Sequence, residues 1–202
     1  MRSESVHCIP DIALFAGFNG PRVAPGEYSA RVRVGEAEET VTFAIATDPR
    51  LTASDADIST WVARLAEVKA MLSGNLHSLE DIRGSRAQIE TLMAEFSGDA
   101  ELQSMGTAAL EKIAVWESAI TQLKHKTYED EDAWETMLAG QLRYLLDVID
   151  RTGPPVTDGA MIRLQALKSE WATRQAELET IASEHIAPIN AWANAHQVDH
   201  VR

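Results

Sequence analysis

Residues 54–96 read SDADISTWVARLAEVKAMLSGNLHSLEDIRGSRAQIETLMAEF, and this proline-free run decides the fold. Apolar side chains recur at Ile58, Trp61, Leu65, Val68, Leu72, Leu79, Ile82, Ile89, Met93 and Phe96, with Asn75 and Arg86 holding the beat where it passes through polar positions. Steps of three and four are the rhythm of a helix packed along a seam. At 1.5 Å of rise per residue such a helix is roughly 65 Å long. Ser54 or Thr52 can cap it, and Asp55 and Asp57 fall in the first turn, where the helix dipole favours acid. Gly74 and Gly84 lie inside it, but the beat does not slip, so one helix is expected.

A single stripe of this length needs partner helices, and the remainder of the chain supplies them. A second helix is expected from about Asp99 to Lys126, on Leu102, Ala109, Ile113, Trp116, Ile120 and Leu123, with Lys124, His125 and Lys126 in its last turn. A third runs from about Glu131 to Arg151 on Trp134, Leu138, Leu142, Leu145 and Ile149, and Thr152-Gly153-Pro154-Pro155 stops it. A fourth opens near Thr157-Asp158 and carries Met161, Leu164, Leu167, Trp171, Leu178, Ile181, Ile189 and Trp192, with a kink or restart at Pro188. The five tryptophans fall on these stripes and read as core. Short connections make sequential helices antiparallel neighbours. The plan is long, short, short, long.

Upstream the period changes from helical to two. Tyr28, Ala30, Val32 and Val34 alternate with polar residues, Gly35-Glu36-Ala37-Glu38 turns the chain, and Val41, Phe43 and Ile45 alternate again. This is a β-hairpin. Ile12, Leu14 and Phe15 form a short apolar run before the Gly17–Pro21 break and allow one short strand. The expected fold is mainly α: an antiparallel four-helix bundle with two long helices, preceded by a small β-hairpin, divided as 1–50 and 51–202 at Thr47-Asp48-Pro49-Arg50.

Composition narrows the function classes. The net charge is −13, of which −2 lies in residues 1–50 and −11 in the remainder, which argues against nucleic acid and anionic membrane as partners. Cys8 is the only cysteine, so neither an intrachain disulfide nor a cysteine-rich metal site is expected. No apolar run approaches 18 residues, so no membrane span is expected, and no apolar segment of signal-peptide type follows the N-terminus.

Each constellation that could carry chemistry has a plainer reading. Glu129-Asp130-Glu131-Asp132 could hold a hard cation but lacks EF-hand spacing, and reads as the acidic start of helix three. Gly74, Gln122, Ala182 and Ala193 stand three before His77, His125, His185 and His196, so none of these four histidines fits the Glu-x-x-His pattern of a di-iron bundle. His196 and His200 are four apart and would share a helix face, but no glutamate follows His196 and the stretch is a terminus. His185, near Pro188, reads as a buried histidine with its hydrogen bonds made. Cys8 beside His7 is adjacency in sequence, a poor guide to a thiolate pair. No residue is therefore assigned a catalytic, cofactor-binding or metal-binding role.

The order of features resembles a known family. Gly20-Pro21-Arg22-Val23-Ala24-Pro25-Gly26-Glu27-Tyr28, then Arg31-Val32-Arg33-Val34, Asp48-Pro49-Arg50 and a long helix, resembles the C-terminal region of large secreted bacterial BNR-repeat glycosyl hydrolases and sortilin-like propeller proteins. Pro154-Pro155-Val156-Thr157 and Ile186-Ala187-Pro188-Ile189-Asn190-Ala191 are similar to that tail as well. The resemblance implies that the hairpin is the remnant of an Ig-like sandwich. It places hydrolase chemistry in an upstream propeller, and this chain carries no S-x-D-x-G-x-x-W repeat. It further implies a secreted or periplasmic setting. The function expected is a non-catalytic accessory module whose partner is a protein, either a second copy or the upstream propeller. The alternative is a small helical-bundle enzyme or metal-binding protein, which a polar pocket around His185 with two or more carboxylates would favour. A signalling or adaptor coiled coil would need an exposed apolar groove. For the hairpin, either it folds down on the bundle or two copies pair their edges about a twofold axis; the homodimer is preferred.

Overall fold

The computed structural model describes residues 1–202 except 11, 13, 15, 16, 128, 131, 132 and 202. Phe15, Glu131 and Asp132 of the expectations above lie outside the described residues. Strands β1 (Gly26–Val34) and β2 (Ala37–Ile45) are followed by helices α1 (Asp55–Glu95), α2 (Ala100–Ile120), α3 (Leu138–Thr152) and α4 (Asp158–Thr180). The last continues through a π turn (Ile181–Ile186) into α5 (Ala187–His196). The protein is a four-helix bundle with two long rods, α1 and α4–α5, and a two-stranded antiparallel hairpin before it.

Local chemistry sets the helix starts. Ser54 Oγ accepts from the Asp57 N–H at 3.2 Å, while Asp57 Oδ2 accepts from the Ser54 N–H at 2.9 Å, a reciprocal capping box. Asp99 Oδ1 accepts from the Leu102 N–H and Thr157 Oγ1 from the Ala160 N–H. Helix α1 then runs 41 residues without interruption, straight through Gly74 and Gly84. Its stripe is buried from Trp61 to Leu92.

The two short helices divide the length of α1 between them. Glu117 of α2 meets Arg83 and Arg86 toward the end of α1, and the Trp61 indole N–H near its start donates to the Ile149 carbonyl of α3 at 2.8 Å. Both therefore run antiparallel to α1, one after the other. This arrangement depends on a connection much longer than the sequence suggests. α2 stops at Ile120, not Lys126, and α3 starts at Leu138, not Glu131. In between, Asp130 Oδ2 accepts from the backbone N–H groups of Lys126 and Thr127 at 2.6 and 2.7 Å, and the Gln122 side-chain amide donates to the Glu135 carbonyl. Side-chain bonds to backbone offer the chain an alternative to helix. Lys124, His125 and Lys126 consequently lie in a loop rather than a last helical turn. Asp130 serves as a loop cap rather than a helix-start acid. Trp134 is not core: it is 43% exposed, with the Lys124 ammonium 3.9 Å from its ring centroid. The other four tryptophans are buried.

At Pro188 the last rod restarts as α5, as the sequence leads one to expect. The proline sits in the first turn of α5, where a missing N–H costs little, and the π turn immediately before it absorbs the register change.

The described residues among 1–23 form an irregular strap on the bundle. Its two limbs join through Ser3 N–H to Pro21 O and Val6 N–H to Phe18 O, with an isolated bridge between Arg2 and Arg22. Gly20 lies so close to the Glu4 carbonyl that a Cβ would sit 2.0 Å from the oxygen. Val6 and Ile9 are buried with the helical core, and Lys69, Arg83 and Arg143 donate to the strap carbonyls of Glu4, Pro10 and Gly17.

Candidate functional site

Beyond its root, the hairpin stands off the bundle. The strands pair with Tyr28 opposite Phe43, Ala30 opposite Val41, and Val34 opposite Ala37. The two-residue turn puts Gly35 at φ 62°, the positive φ that a primed hairpin turn needs at its first central position. Neither strand contacts a helix. Alternation places Tyr28, Ala30, Val32, Val34, Val41, Phe43 and Ile45 on one face, with Glu39 opposite Val32 as its one charged member. Val32, Val34 and Val41 are 60%, 74% and 59% exposed. The opposite face carries Glu27, Arg31, Arg33 and Glu38, and Glu38 receives both guanidinium groups, from Arg31 at 3.6 Å and Arg33 at 3.1 Å. Among the described residues the sheet has only these two strands, so both outer edges are open. The hairpin has not folded down on the bundle.

At its root the apolar face runs into a crevice of about 150 Å³ between hairpin and bundle, lined by Val23, Pro25, Ile45, Leu51, Ile58 and Trp61 among others. The root is pinned electrostatically. Asp150 of α3, almost wholly buried, accepts from the Arg22 N–H at 2.8 Å, from Arg22 Nε at 3.3 Å and from Arg2 Nη1 at 3.0 Å. The Arg22 guanidinium lies 5.4 Å from the Trp61 ring centroid. A carboxylate so occupied is an anchor, with its charge and lone pairs spent on the chain itself. Sequence reasoning missed this crevice because its lining comes from separate segments of the chain, and only Pro25 and Pro154 carry a turn signal.

Several other charged and titratable groups also serve the fold. Glu117, 1% exposed, is clamped between Arg83 Nε at 2.7 Å and Arg86 Nη2 at 2.5 Å. Burial lowers the pKa of Arg143 from the usual guanidinium range. Hydrogen bonds from Ser54 hold Asp57 below the ordinary carboxylate range, and the Leu102 N–H does the same for Asp99. His196 and His200 do not share a helix face. The helix ends at His196, where Gln197 turns left-handed at φ 58°; His196 stacks on Trp192, and His200 bonds Asn194 Oδ1 at 2.6 Å. His185 lies half-buried in the π turn. His7 stacks on His77 and reaches Glu80 at 2.9 Å, away from Cys8 chemistry. Among the described residues, no three His, Cys, Asp or Glu side chains converge as an ion site, and no helix is long and apolar enough to cross a membrane.

No protein-family model matches this chain, and neither the curated proteins nor the solved structures contain one significantly similar to it.

Proposed function

We propose that this protein is a non-catalytic interaction module in which the bundle holds a β-ribbon out for a protein partner to cover. One observation carries the reading: an amphipathic hairpin, apolar on one face and open at both edges, stands clear of the bundle. A two-stranded sheet is marginal in water by itself, and an exposed apolar face on a protein with a filled core marks a contact surface. Strand addition at an edge supplies main-chain hydrogen bonds, and the apolar face supplies selectivity. The resemblance of residues 20–50 and 154–191 to the tail of BNR-repeat glycosyl hydrolases and sortilin-like propellers supports a narrower form. In that form the chain is the C-terminal accessory region of such a protein, secreted or periplasmic, with a propeller upstream.

The test is a benzophenone side chain placed at Val34 in the protein expressed in its source organism, with Ile162 on α4, equally exposed, as the control. Crosslinks to polypeptide from position 34 and not from 162 are expected. A hairpin that crosslinks no more than the control overturns the module reading. Turnover of a glycoside by the 202-residue chain overturns its non-catalytic character.

A further inference from the structure

We infer, on the interaction-module reading, that the surface covering the hairpin edge is a second copy of this chain, with β1 paired antiparallel to β1 about a twofold axis through Ala30.

The register follows from the charges along β1. With Ala30 opposite its own copy, Tyr28 faces Val32, Gly26 faces Val34, Ser29 faces Arg31, and Glu27 faces Arg33, each pair occurring twice. All nine residues of the strand are used. The apolar residues of both copies then share one face, and a four-stranded sheet, β2-β1-β1-β2, replaces two marginal ribbons. Glu27 is exposed and makes no hydrogen bond or ion pair among the described residues, whereas Arg31 and Arg33 share the single carboxylate of Glu38. The pairing gives each Arg33 the unpartnered carboxylate of the other copy.

Neighbouring registers are worse for stated reasons. An axis through Arg31 sets that guanidinium against itself. An axis through Val32 sets Arg31 against Arg33. An axis through Ser29 keeps a Glu27–Arg31 pair but brings Arg33 opposite Pro25, which has no N–H to give to a ladder. The β2 edge offers no counterpart: paired with itself about Val41, it sets Glu38 against Ala44 and Glu39 against Phe43, pairs that gain no opposite charge. Pairing β1 with β2 of another copy would leave edges free at both ends and grow without limit, whereas the β1 twofold closes. The β2 edges that remain carry Glu38 and Glu39, charges that discourage further strand addition.

The experiment is sedimentation equilibrium on the full chain and on two variants, Glu27→Arg and Arg33→Glu, alone and mixed. The parent chain is expected to dimerise. Each variant alone places like charges opposite one another twice and should weaken association by about tenfold or more, the usual scale for cross-strand pairs. In the equimolar mixture, position 27 of one variant and position 33 of the other again carry opposite charges in both cross-strand pairs. The mixture should therefore dimerise as a heterodimer more tightly than either variant alone. A parent chain that stays monomeric up to millimolar concentration overturns the inference, as does a dimer indifferent to both variants. Crosslinks from position 34 to a different polypeptide overturn it too while leaving the module reading standing; no crosslinks at all remove the reading itself.

Discussion

Helix α1 and the hairpin each present one largely apolar stripe, and they meet opposite fates. The α1 stripe is covered along its length by α2, α3 and α4, with Val68, Leu72, Leu76 and Leu79 wholly inaccessible. The hairpin stripe, upstream of it in the chain, is left exposed at Val32, Val34 and Val41, with no helix packed over it among the described residues. Periodicity identifies which face wants to leave water. It does not identify what takes water's place, and here one stripe finds its cover inside the molecule while the other presents it to a partner. The stability of the molecule should accordingly be concentrated in the bundle and the strap packed on it, and not in the hairpin.

The largest effect that would test this asymmetry is Trp171→Ala. The side chain is 8% exposed on α4, and truncating a buried aromatic costs about 3–5 kcal/mol. A loss under about 1 kcal/mol in urea melts would mean that the bundle is not where the stability lies.

Asn75 should move stability in the other direction. It is wholly buried in the α1 stripe, and neither Oδ1 nor Nδ2 has a hydrogen-bond partner. An unpaired buried amide costs about 1–3 kcal/mol, so Asn75→Leu should stabilise the bundle by up to that amount. Destabilisation by the same change, measured by the urea midpoint, would show that the amide is satisfied.

The helix caps come next. Ser54→Ala should cost about 1 kcal/mol. The caps also predict an acid limb. Asp57 and Asp99 are held below their ordinary range in the folded chain, so the unfolded chain binds protons more readily. Their contribution is complete above the unfolded carboxylate value of about 3.9 and is lost as pH falls through the lower folded values. Melting temperatures followed from about pH 6 downward should fall over that window, and Asp99→Asn should blunt the fall; an unchanged acid limb would show that the Leu102 N–H does not hold Asp99.

The smallest effect belongs to the hairpin. Val34→Thr should leave the helical melt within about 0.5 kcal/mol of the parent, as surface changes do. A larger loss would show that the hairpin and the bundle unfold together, and would remove the contrast between them.

Most of the architecture was legible because it is written locally. The helix caps, the three-four beat and the Gly35 turn act over a few residues, and those elements stand where the pattern put them, to within a residue or two. The 121–137 connection was not legible, because Leu123 and Trp134 continue the helical beat on paper. Asp130 and Gln122 outcompeted the helix there, and Trp134, predicted as core, found Lys124 instead. The expectation of a shared face for His196 and His200 failed for a similar local reason, the left-handed Gln197 that ends α5. The candidate surface was half legible: alternation gave its apolar face and open edges, but not that it would stand free.

The sequence by itself determined the number and order of the helices, the hairpin, and the face each buries or offers, because these follow from periods of two and 3.6 and from side chains within one turn of each other. Only the tertiary structure decided that α2 and α3 lie in succession along α1, that Asp150 pins Arg2 and Arg22 from the far end of the chain, and that the hairpin is left uncovered. Those outcomes depend on which surfaces meet, and contacts between residues distant in sequence leave no periodic trace within either partner.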